Sequence, residues 1–92
     1  MSNMFNPPHP GSILREDVLV AMELSITSAA RQIGVNRVTL SRVLHEHSGI
    51  SPEMALKIED WLGVDNGGRA DVWLAMQIKY DLWCARQNHQ VA

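Results

Sequence analysis

Apolar residues recur along this chain at three- and four-residue intervals, and strand-like alternation is hard to find. Ile13, Leu14, Val18, Leu19 and Met22 make one apolar stripe, with Arg15, Glu16, Asp17 and Glu23 mostly outward. Pro10 suits the first position of that helix, where its missing N–H removes no bond, and the helix is predicted to end near 22–24. A short second helix is predicted from Thr27, whose hydroxyl suits an N-cap, to Gly34, which can adopt the left-handed conformation. Asn36 is placed to cap a third, on which Leu40, Val43 and Leu44 point inward. Ser51-Pro52-Glu53 is a strong start for a fourth, with Met54, Ala55, Ile58, Trp61 and Leu62 buried and Gly63 as its stop. A last long helix is predicted from about Ala70 to Arg86 or a little beyond. The pattern implies an all-α domain of five helices.

The pair over 27–44 carries the first functional signal. Two short helices flank a glycine turn, with small residues on the first and Arg37, Val38, Ser41, Arg42 and His45 outward on the second. That is the pattern of a helix-turn-helix DNA reader. The formal net charge of −2 argues against a simple nucleic-acid binder. Its distribution argues the other way. Between Thr27 and Ser48 three arginines face one acid, Glu46, whereas from Ser51 onward six acids outnumber four bases. A mildly basic head joined to an acidic end suggests two surfaces and two partners.

The last helix adds a second signal. Val72, Trp73, Leu74, Met76, Ile78, Leu82 and Trp83 cover more of its circumference than one core-facing stripe needs. Part of it is therefore expected to face a second subunit, with Trp73, Met76, Tyr80 and Trp83 as the interface candidates. The domain organisation read from the pattern is a flexible arm or extended lead-in over 1–9, then one domain over 10–92 with a dimerisation helix at about 70–88.

Other chemistry is sparse. Cys84 is the only cysteine, which fits a cytoplasmic setting, and no apolar run approaches the ~20 residues that span a bilayer. His45 and His47 lie two apart with no nearby cysteine, short of the three or four converging ligands a zinc ion needs. No nucleophile elbow, phosphate loop or HExxH is present, so neither an enzyme nor a cofactor is expected.

Three segments carry a family resemblance: HPGSILREDVL from His9, LSITSAARQIGVNRVTLSRVLHEHSGISPEMALKIEDWLG from Leu24, and WLAMQIKYDLW from Trp73. Together they resemble the HigA (VapI-like) antitoxins, a branch of the lambda-repressor-like helix-turn-helix proteins. The match runs from about His9 to Arg86. The HPG start, the SGISPEMAL segment and the ending built on Trp73, Leu74, Gln77, Tyr80, Asp81 and Leu82 are its specific part. Residues 65–71 depart from the family's usual short link. The resemblance implies a five-helix lambda-repressor-like fold with a long C-terminal helix. It also implies a non-enzymatic homodimer that binds double-stranded operator DNA, represses its own operon and pairs with a RelE-like (HigB-type) mRNA-cleaving toxin. By likeness to lambda-type readers, base contacts would come from Arg37, Val38 and Ser41, with Arg42 near a base edge or phosphate. Phosphate contacts would come from Thr27, Ser28, Asn36, Thr39 and His45. Two other readings fit the same residues: an interaction module that kept the fold without DNA binding, and a phage-type repressor with no toxin partner.

Overall fold

The computed structural model describes residues 6–91, and the first five residues of the anticipated arm lie outside them. Five helices and a short 3₁₀ turn account for the architecture, with no strand among the described residues. Helix α1 begins as Pro10–Ile13, widens into a π-helical stretch at Leu14–Leu19 and closes as Val20–Met22. Helix α2 is Ile26–Ile33, α3 is Arg37–Leu44 and α4 is Pro52–Leu62. The 3₁₀ turn Val64–Asn66 leads to α5, Ala70–Val91.

Most helix boundaries follow their caps. Asn36 accepts from the backbone N–H groups of Val38 and Thr39, and Ser51 from that of Met54. Gly34 closes α2 at φ +89°, a left-handed conformation that strains any residue with a Cβ. One cap differs from the expectation. Ser25, not Thr27, caps α2, because Ser25 is extended and its hydroxyl accepts from Ser28 N at 3.1 Å. Thr27 therefore lies inside the helix, with its side chain exposed.

The π-helical stretch was not legible in the spacing. Its i→i+5 bonding brings residues five apart onto one face, so Leu14 and Leu19 are both buried. Val20 is turned out, 68% exposed, and Met22, expected inside, is 44% exposed. The core otherwise gathers Ala29, Ala30, Ile33, Leu40, Val43, Leu44, Ile50, Met54, Ala55 and Ile58 from the middle of the chain. Ala70 and Trp73 of α5 complete it.

The three family motifs meet in space, at the joint between α5 and the rest. His9 is buried and caps α1, its Nδ1 accepting from Gly11 N at 2.8 Å. Gly11 packs so closely on the Val43 carbonyl of α3 that a Cβ there would overlap it. Across the joint the Tyr80 ring stands edge-on to His9 with centroids 4.8 Å apart. Gln77 is buried too; its Oε1 accepts from Ile50 N at 2.9 Å and its Nε2 donates to Asp81 at 3.0 Å. Of the anticipated lead-in, Pro7 and His9 are thus packed against the fold.

This joint revises two expectations. Trp73, an interface candidate, is 3% exposed and belongs to the core, since it sits one turn before Gln77 on the inward face of α5. Arg15, expected to point outward, donates to the Leu44 carbonyl at the end of α3 and lies 3.8 Å from Glu46. Its long stem lets the head cap a neighbouring helix.

Candidate nucleic-acid interface

The second helix of the pair, α3, buries Leu40, Val43 and Leu44 and leaves the opposite face open. Arg37, Val38, Arg42 and His45 are exposed on that face, and Ser41 is half-buried among them. Val38, at 60% exposure, is a hydrophobic side chain that the fold does not use. The helical period explains the grouping, since residues 37, 41 and 45 and residues 38 and 42 stand one turn apart.

Both arginines are held by a hydroxyl at one edge. Arg37 Nε donates to Thr27 Oγ1 at 3.0 Å, and Arg42 Nε donates to Ser48 Oγ at 3.1 Å. The terminal guanidinium nitrogens of both have no protein partner among the described residues. A planar fork with free N–H groups at a helix surface is suited to bidentate pairing with guanine or phosphate. His45 ends α3, and its Nδ1 donates to the Ser41 carbonyl at 2.8 Å. That bond leaves Nε2 outward.

The anticipated phosphate contacts divide. Thr27 joins Arg37, as above. Ser28 is half-buried and its N–H is taken by Ser25. Asn36 is exposed, but its Oδ1 is committed to the cap, which leaves only its amide N–H groups. Thr39 turns toward α4 and borders a shallow depression with Asn36, Gly34, Ser51, Glu53 and Lys57. Lys57 was not singled out from the sequence, where it sits in the acidic half. Its Nζ reaches the Gly34 carbonyl at 3.0 Å, which brings a cation to the glycine turn. Its position opposite Met54, Ala55 and Ile58 on α4 was the available signal. Arg31, exposed on α2, is a further cation on this side of the count.

The helix-turn-helix family matches residues 14–65, which contain the whole capped pair and its outer face. The chain belongs to the helix-turn-helix family. Within that family it is similar to HigA-type antitoxins. Virulence-associated protein A' of Dichelobacter nodosus is 39% identical over 79 residues, 86% of this chain; the chain spans 65% of that relative's length. The solved antitoxin GraA is 36% identical with a TM-score of 0.85, over 94% of this chain and 88% of that one. Pseudomonas aeruginosa antitoxin HigA, solved with the higBA promoter, is 31% identical with a TM-score of 0.78, over 92% and 90% of the two chains.

The rest of this helix-turn-helix protein offers little other chemistry. Among the described residues no three His, Cys, Asp or Glu side chains converge as a metal site would require, and no helix is long and apolar enough to cross a membrane. Buried His9 is held below the ordinary histidine pKa, chiefly by desolvation, although Glu46, Asp81 and the Ser48 backbone pull it back up. The Tyr80 hydroxyl is raised by its hydrogen bond to Cys84 and by burial. Both groups lie at the α5 joint, away from the outer face of α3.

Proposed function

We propose that this protein is the antitoxin of a toxin–antitoxin pair that represses its own operon by binding operator DNA as a homodimer in the cytoplasm. The observation that carries the reading is the outer face of α3, with Val38 exposed and two arginine forks unoccupied at their ends. A relative of the same fold solved with promoter DNA supports it. In this reading Arg37 pairs with a guanine, Val38 meets a thymine methyl group, and Ser41 and Arg42 reach a base edge or phosphate. Thr27, Ser28, Asn36, Thr39 and His45 line the phosphate track, together with the N-terminal end of α3.

The partner proposed is a RelE-like (HigB-type) toxin, supported by the likeness to GraA and HigA, both antitoxins. The protein acts by binding and not as an enzyme. The dimer contact is proposed on the outward face of α5. Ile78 and Leu82 are 65% and 49% exposed there, beside half-buried Trp83, while Met76 and Tyr80 are half-buried toward the core. Replacing Trp73 by Ile78 and Leu82 in the interface keeps the reasoning about surplus apolar positions and moves it round the helix.

The test is a titration against the DNA upstream of its own gene at two salt concentrations, with scrambled DNA as control. Tight binding to its own upstream DNA that weakens as salt rises is expected, because neutralised phosphates release counterions. Equal affinity for scrambled DNA would remove the operator; no binding to either would leave an interaction module. Sedimentation equilibrium of the same sample reads the dimer, and co-expression with the toxin reads neutralisation by restored growth.

A further inference from the structure

Arg42 and Arg37 are both held by a hydroxyl at Nε, but the two holders differ. Ser48 follows α3 in the loop, and its own N–H bonds back to the Arg42 carbonyl, so that contact is local. Thr27 belongs to α2, the other helix of the pair, ten residues away. We infer that Thr27 is a positioning residue for base reading: it fixes Arg37 at Nε so that the Nη1/Nη2 end of the fork is the edge presented to a guanine. The inference rests on the reading of α3 as the helix that enters the major groove.

An arginine can offer a base either the two terminal nitrogens or the side formed by Nε and one terminal nitrogen. Spending the Nε hydrogen on Thr27 leaves the terminal pair. The anchor is stiff. Thr27 is β-branched and sits on α2, whose Ala29, Ala30 and Ile33 are buried in the core. Arg37 is the first residue of α3, and the Asn36 cap fixes the turn it stands on. No carboxylate lies within ion-pair distance of Arg37 among the described residues, so nothing charged competes for the fork. A long side chain with large rotamer freedom is therefore ordered before DNA arrives, which reduces the entropy lost on binding. The Thr27 hydroxyl proton is not used by this contact and remains available to a phosphate oxygen.

The experiment is selection from a random duplex library, followed by binding to the selected site and each of its single-base variants. Wild type, Thr27→Val, Thr27→Ser and Arg37→Ala are compared. Wild type is expected to show one G·C pair whose replacement weakens binding roughly tenfold or more. Arg37→Ala should erase the preference at that pair. Thr27→Val, which keeps the shape and loses the acceptor, should cut it to a few-fold at the same pair. Its affinity for random DNA and its salt dependence should not change, and Thr27→Ser should keep the preference. A Thr27→Val profile identical to wild type would overturn the inference, as would a loss spread evenly over all duplexes, since a merely structural role lowers every affinity alike. A wild type that selects no site at all would instead sink the DNA reading of α3, a failure distinct from the other two.

Discussion

Two polar regions of this small domain behave in opposite ways. At the α5 joint, His9 and Gln77 are buried and their polar atoms are paired with Gly11, Ile50 and Asp81. On the outer face of α3, Arg37, Arg42 and His45 are exposed and keep N–H groups or a ring nitrogen free. The joint is built from the residues that mark the family, the HPG start, Ile50 of the SGISP segment and the Gln-x-x-Tyr-Asp ending. The face is built from residues outside those marks. A buried polar atom without its partner is penalised in full, so residue types at the joint are dictated by the fold. An exposed side chain is constrained only by what it binds. The motifs that identify this chain thus report how it is assembled, and the face reports what it reads.

That contrast can be broken in order of expected size. Gly11→Ala should have the largest effect, on the order of 4 kcal/mol of stability, because the new methyl group meets the α3 backbone and neither helix can yield without moving the core. Urea titration checks it, and a loss below about 1 kcal/mol would mean that α1 can shift away from α3. Gln77→Ala follows at about 2.5 kcal/mol, since Ile50 N–H would be left buried without an acceptor. DNA affinity per folded molecule should survive both changes. Arg37→Ala should do the reverse, removing about 2 kcal/mol of discrimination at one base pair with an unchanged melting temperature. A drop in melting temperature with base preference intact would put Arg37 on the structural side of the comparison.

The smallest effect is a pH dependence. Burial favours the neutral His9 ring, and protonation at Nδ1 would also break the α1 cap. Its folded pKa lies below the ordinary value near 6.5, so the unfolded chain binds more protons in the window beneath that value. The stability contributed by neutral His9 is complete above about pH 6.5 and is lost as the pH falls toward the folded pKa. His9→Asn keeps an acceptor at the cap and should flatten this dependence between pH 5 and 7 while lowering stability overall through loss of the Tyr80 contact. A variant with the same slope as wild type would move the titration to another group.

Local chemistry was legible along the chain. Asn36, Ser51, Gly34 and Gly63 act within a few residues of themselves, so the boundaries they set could be read without a fold. The inward residues of α3 and α4 followed from the helical period for the same reason. Even there, two hydroxyls competed for one role, and Ser25 rather than Thr27 took the cap because the backbone turns one step earlier.

The chain by itself determined five helices, their caps and an outer face of α3 rich in arginine, because helix periodicity and capping are short-range effects. Only the tertiary structure decided which side of α5 is spare, sending Trp73 into the core and leaving Ile78 and Leu82 outside. It also decided that α1 widens so that Leu14 and Leu19 share a face, that Arg15 caps α3, and that Thr27 holds Arg37. Each of these depends on where a second element comes to rest, and no spacing within one helix carries that information.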